Sequence, residues 1–125
     1  MPGAKLIRRV VIVEHDPTYI GFLSKLITGL GHEVVEINDI HATDFSELKA
    51  SDIVFLDVML PRGEGLRALK TIARLGSNCS IALMCGANDH PREAEEFATQ
   101  LRLKTIGVLE KPFRHSDIQK IIEDN

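Results

Sequence analysis

Ile53-Val54-Phe55-Leu56 is apolar at every position and rich in β-branched and aromatic side chains. A run this short and this stiff favours strand over helix, and the lack of polar alternation means that both of its faces are covered. The run ends on a carboxylate, Asp57, and breaks into a loop carrying Pro61, Gly63 and Gly65. A charge is costly inside a core, so Asp57 belongs where the strand leaves the sheet and meets solvent. In open parallel sheets that edge is where ligands bind. Asp57 is therefore the candidate reactive centre.

Other runs have the same character. Arg8 to Val13, Glu33 to Ile37, Ser80 to Met84 and Thr105 to Leu109 read as strands. Between them lie helical patterns. Asp16-Pro17 starts a helix, the carboxylate capping free amides, and Ile20, Leu23, Ile27 and Leu30 repeat along it until Gly31 and His32 close it. Leu66, Leu69, Ile72, Ala73 and Leu75 mark a helix ending at Gly76, and Ala94, Phe97 and Leu101 support another from about His90. Ser116 and Gln119 suggest a capping box for a last helix that buries Ile118, Ile121 and Ile122. Asn38 to Ala50 is polar and weakly helical, anchored by Phe45 and Leu48. Five strands alternating with five helices predict a parallel α/β sheet with helices on both faces, each connection a right-handed crossover.

A chain of 125 residues is one ordinary domain, 1–125, with no internal repeat or linker. Fifteen basic against eighteen acidic residues, a net charge of −3 without blocks of one sign, argue against direct nucleic-acid binding. No apolar run approaches membrane-spanning length, and Met1-Pro2-Gly3-Ala4 lacks a signal-peptide pattern, so the expected location is cytoplasmic. Cys79 and Cys85 form neither a disulfide framework nor a spaced metal motif.

Since the strands run parallel, their exits share one rim, which gathers Glu14 and His15, Asp57, Cys85 and Lys111. Clustered carboxylates suit a hard divalent ion such as magnesium, and Lys111 is a compact charge suited to phosphate oxygens. A carboxylate nucleophile beside a divalent ion and a lysine describes an aspartyl-phosphate site. No glycine-rich loop follows the first strand, which argues against a P-loop, a dinucleotide fingerprint or a small flavin-binding protein.

From about Arg8 to Glu123 the chain resembles a response-regulator receiver domain of two-component signalling. The resemblance rests on Val11-Ile12-Val13-Glu14-His15-Asp16-Pro17, Leu56-Asp57-Val58-Met59-Leu60-Pro61 through Gly65, and Glu110-Lys111-Pro112-Phe113, three motifs in order, each after its expected strand. It implies a flavodoxin-like, doubly wound (βα)5 fold. It implies Asp57 as phosphoacceptor, Lys111 as the lysine that contacts the phosphoryl group, and Glu14, Asp57 and the Met59 backbone carbonyl as ligands of Mg2+. The implied partner is a histidine kinase or histidine phosphotransfer protein, with an effector domain or protein downstream. The domain is then not an enzyme in its own right, its phosphotransfer and autodephosphorylation being intrinsic chemistry. The chain stops on its last helix, which leaves room for an effector domain in a longer regulator.

Three positions depart from the family pattern. His15 stands where the second acid is expected, so magnesium should bind weakly, with Mn2+ as an alternative. Cys85 takes the place of the Thr or Ser after the fourth strand, and Val108 that of the aromatic residue in the fifth. A thiol donates only weakly to phosphoryl oxygen, and valine has no ring to swing. His15 reads first as a solvent-edge imidazole, and second as a ligand for a softer ion such as manganese or zinc, with Cys85 beside it. Asp16 reads as a helix cap rather than a substitute acid, Cys79 as inert, and Arg92 to Glu96 as a solvated helix face. The Lys111–Pro112 bond is a candidate for cis. The rival reading is a pseudo-receiver, an interaction module independent of phosphorylation.

Overall fold

The computed structural model describes residues 6–39, 44–86 and 89–125. Strands β1 (Arg9–Val13), β2 (Glu33–Ile37), β3 (Ile53–Asp57), β4 (Ser80–Cys85) and β5 (Lys104–Glu110) form one sheet in the order β2-β1-β3-β4-β5. All four pairings are parallel. Helices α1 (Pro17–Gly29), α2 (Glu64–Leu75) and α3 (Pro91–Gln100) lie in the crossovers β1–β2, β3–β4 and β4–β5, and α4 (His115–Glu123) follows the last strand. No helix among the described residues is long and apolar enough to cross a membrane.

Alternate side chains of each inner strand enter opposite layers, as the pleat requires. Val11, Val13, Val54, Leu56, Ile81 and Leu83 pack with Leu69 and Ile72 of α2 and Ala98 of α3. Val10, Ile12, Ile53, Phe55, Ala82 and Met84 pack with Leu23 and Ile27 of α1 and Ile118 and Ile122 of α4. The central strand β3 is buried along its whole length, which explains its unbroken apolar sequence.

Two local expectations need correction. Among the described residues there are four α-helices rather than five. The described part of the stretch from Asn38 to Ala50 forms only a 3-10 turn, Phe45–Glu47, seated by the buried Phe45. Asp44 caps that turn, its side chain accepting from the Ser46 N–H at 2.9 Å. Residues 40–43 of the stretch lie outside the described residues. Helix α4 starts earlier than the Ser116–Gln119 box implies. Asp117 instead accepts from the Arg114 N–H at 2.8 Å, and Gln119 donates to Glu123 at 3.0 Å.

A buried ion pair ties the start of β1 to the loop before β3. Arg9 donates to both oxygens of Asp52, through Nε at 3.1 Å and through Nη2, and the Lys49 N–H adds a bond of 2.8 Å. Burial pushes the Asp52 carboxyl up, but Arg9 and the Lys49 N–H outweigh it and hold the group below its ordinary 3.8. Asp52→Ala should cost about 1–3 kcal/mol near neutral pH, because the Lys49 N–H loses its partner while Arg9, partly exposed, rehydrates. A carboxylate depressed by folding stabilises above its unfolded value and ceases to do so as pH falls through its folded value. Urea denaturation of both proteins should therefore show the gap closing in acid below 3.8.

Candidate functional site

Strand β1 delivers Glu14 to the rim fully buried, at 0% exposure. Its N–H donates to the Ile37 carbonyl at 3.2 Å, so β2 fixes the backbone. The side chain folds back, Oε1 accepting from the N–H groups of His15 at 3.0 Å and Asp16 at 3.2 Å. Strand β3 delivers Asp57, 3% exposed, with Oδ1 accepting from the Met59 N–H at 2.8 Å. After β5, the Lys111 N–H donates to the Cys85 carbonyl at 2.7 Å, and the Lys111–Pro112 bond is cis, as the sequence suggested. Lys111 Nζ lies 2.7 Å from Glu14 Oε2 and 3.2 Å from Asp57 Oδ2. The contact to Glu14 is an ion pair by distance only, since Oε2 is buried without an aligned hydrogen bond. One ammonium thus stands against two buried carboxylates from different strands.

Burial pushes the Glu14 carboxyl up and Asp57 adds to the effect; Lys111 and the Asp16 N–H pull it down without cancelling the rise. Burial acts downward on Lys111, but Glu14 and Asp57 outweigh it and hold the ammonium above its ordinary range. An acid raised by folding costs stability above its folded value, and the cost is relieved as pH falls. Glu14→Gln should therefore melt at or above the wild-type temperature near neutral pH, with the difference closing in acid, while binding divalent ions more weakly. A thermal-melt series against pH checks the first expectation and an ion titration the second.

The first reading of His15 is a solvent-edge imidazole that neither binds magnesium nor catalyses. Its side chain is 50% exposed, yet Nδ1 lies 3.3 Å from Glu14 Oε1 and 3.8 Å from Asp57 Oδ2. Ligand atoms of Glu14, His15 and Asp57 all fall within 4.8 Å of one another, and among the described residues Cys85 is not in that group. Buried carboxylate oxygens, one without an aligned donor, fit a divalent cation, with an imidazole nitrogen as the third donor.

Cys85 reaches the rim through its backbone, but its thiol turns inward. At 1% exposure, its Sγ donates to the Leu109 carbonyl at 3.7 Å, and burial pushes the thiol up, keeping it neutral. Val108 packs part-buried against the core layer of α2 and α3. Met59 is exposed. Asp16 caps α1, accepting from the Thr18 N–H at 2.9 Å, as expected. Cys79 is buried with its thiol pushed up by burial, and Arg92, Glu93, Glu95 and Glu96 face solvent.

One contributor escaped the sequence, and Gly65, read there only as a loop residue, lies in the first turn of α2. Tyr19 on α1 lies under Lys111, with Nζ 4.4 Å from the ring centroid, and also packs on Phe113 with centroids 5.6 Å apart. A lone tyrosine in a helix carries no signal of that contact. Gly65 brings the first turn of α2 against the end of β3. A Cβ there would lie 2.5 Å from the carbonyl oxygens of both Asp57 and Val58.

Residues 10–123 match the response regulator receiver domain family. The chain is 28% identical over 111 residues to the response regulator protein TmoT of Ectopseudomonas mendocina, covering 87% of this chain and 48% of that one. It is 26% identical over 114 residues to transcription factor SKN7 of Candida albicans, covering 90% and 20%. The chain thus spans about half or less of the length of these curated relatives. A crystal structure of a response regulator from Colwellia psychrerythraea matches with a TM-score of 0.83 at 24% identity, over 94% of this chain and 96% of that one. The Vibrio cholerae chemotaxis protein CheY4 matches with a TM-score of 0.78 at 18% identity, over 95% and 98%. At these identities the structural likeness shows the fold, a flavodoxin-like parallel sheet between two helical layers. With the family match spanning β1 to α4, the chain belongs to the response regulator receiver domain family.

Proposed function

We propose that this domain accepts a phosphoryl group on Asp57 from a phosphohistidine on a partner histidine kinase or phosphotransfer protein. The observation that carries the reading is a buried Asp57 carboxylate at the exit of the central strand, 3.2 Å from the ammonium of Lys111. In the transfer an Asp57 oxygen attacks phosphorus while the P–N bond to the donor imidazole breaks, its electron pair returning to the ring. The Met59 N–H holds the other carboxylate oxygen, and Lys111 balances charge on the phosphoryl oxygens. Glu14, Asp57 and the Met59 carbonyl would hold Mg2+ or Mn2+, with His15 where a further acid would strengthen the site. A divalent ion bound there neutralises charge on the transferred group. Attack of water on the acyl phosphate returns free Asp57. The chemistry is intrinsic to the domain, which is not an enzyme with a separate substrate.

Cys85 and Val108 bear on the response rather than on the transfer. The thiol is committed to the Leu109 carbonyl and is a weak donor, so phosphorylation should move β4 and β5 little. The signal passes to an effector domain or protein, in the cytoplasm.

One feature favours the rival reading. Lys111 pairs with both carboxylates, so part of their charge is offset without any ion, as it would be in an interaction module of this fold. Incubation with acetyl phosphate across a magnesium and manganese series decides between them. Phosphoryl uptake that rises with either ion supports the phosphoacceptor. A chain that stays unmodified at every ion concentration supports the interaction module.

A further inference from the structure

We infer that the Glu14–His15–Asp57 cluster selects a borderline transition ion such as Co2+ or Zn2+ over Mg2+, by direct coordination through His15 Nδ1. The inference deepens the reading of the same site as a phosphoacceptor centre, and rests on it for the ion's purpose though not for its binding. The geometry comes first. Metal–nitrogen and metal–oxygen bonds of about 2.0–2.2 Å put neighbouring ligand atoms about 3.0–3.5 Å apart. His15 Nδ1 stands 3.3 Å from Glu14 Oε1 and 3.8 Å from Asp57 Oδ2, so the imidazole needs little movement to complete a coordination face. The second observation is independent of that spacing. Glu14 Oε2 is buried and has no aligned donor, although its sister oxygen takes two backbone N–H groups. Those two bonds hold the carboxylate in place with its second oxygen facing a cation, a position the Lys111 ammonium takes at 2.7 Å when no ion is bound.

Donor chemistry then sets the preference. Magnesium wants oxygen ligands in a near-ideal octahedron and gains little from imidazole, and manganese also favours oxygen, whereas cobalt and zinc accept nitrogen readily. An imidazole in place of an acid withdraws one negative charge, which weakens every ion, and supplies a nitrogen, which compensates only the softer ones. Lys111 competes with them all. Its ammonium lies 2.7 Å from Glu14 Oε2 and 3.2 Å from Asp57 Oδ2, so an ion that uses these oxygens must displace it. Lys111 therefore sets the affinity and His15 the selectivity.

Each role has its own variant. In the wild-type domain, Co2+ should show electron-spin coupling to a directly bound nitrogen, and that coupling should vanish in His15→Asp. Calorimetric titrations should show the ratio of Co2+ to Mg2+ affinity falling by about tenfold or more in His15→Asp, with magnesium affinity itself rising. Lys111→Ala should raise both affinities by a similar factor and leave the ratio unchanged. His15 is half exposed, so its replacement leaves the core untouched. Absence of nitrogen coupling in the wild type, an unchanged ratio in His15→Asp, or a ratio that falls in Lys111→Ala instead would overturn the inference. Phosphoryl uptake is read separately in saturating magnesium. A domain that takes phosphate without nitrogen coupling overturns only the ion preference, and one that shows the coupling but takes no phosphate overturns only the phosphoacceptor.

Discussion

Asp57→Asn should take up no phosphoryl group from acetyl phosphate at any divalent-ion concentration, whereas the wild-type chain should be modified. The substitution keeps the shape of the side chain and an oxygen to accept the Met59 N–H, which Asp57 Oδ1 does at 2.8 Å. It removes the negative charge that makes the other oxygen a nucleophile. Lys111 retains Glu14 at 2.7 Å, so no buried ammonium is left uncompensated and the fold should survive. A thermal melt close to wild type, together with complete loss of uptake, is the expected pair of results. Phosphate found on the variant would move the acceptor elsewhere.

Gly65→Ala should be the most damaging small substitution near the site. The added methyl would stand 2.5 Å from the carbonyl oxygens of Asp57 and Val58 and 2.7 Å from the Val58 carbonyl carbon. All three are backbone atoms, which cannot rotate away as a side chain can, so α2 must retreat or the exit of β3 must shift. The cost should be about 1–3 kcal/mol or more by urea denaturation, as for overpacking a tight interior. Phosphoryl uptake should fall as well, because the displaced segment carries Asp57. Gly21→Ala is the control. It also lies in a helix, but nothing stands within 4 Å of its added carbon, so it should stabilise by about 0.5–1 kcal/mol. A Gly65→Ala protein as stable and as reactive as wild type would refute the close packing of α2 on β3.

What the sequence made legible follows from what it had to satisfy. β3 and β4 are buried on both faces, and a short, unbroken apolar run has few other uses. Parallel topology then brings Glu14, Asp57 and Lys111 to one rim whatever their rotamers. Rotamers decide the rest. His15 follows β1 at the rim, but only the side-chain conformation reveals that Nδ1 turns toward the carboxylates rather than to solvent. The pleat of β4 puts Cys85 in the same layer as Ile81 and Leu83, and the bond to the Leu109 carbonyl then directs its thiol. Ser116–Gln119 was the start expected for α4, but the carboxylate of Asp117 took the free amide of Arg114 instead. Around Phe45, Asp44 caps a turn that the described residues continue only as 3-10, where a weak helix was expected.

Peptide mapping by mass spectrometry of the wild-type domain, after exposure to acetyl phosphate and a divalent ion, tests the central claim most directly. The account predicts a single phosphoryl group on the peptide that contains Asp57, lost on treatment with hydroxylamine as an acyl phosphate should be. An unmodified chain, or a phosphoryl group mapped to any other residue, would contradict it.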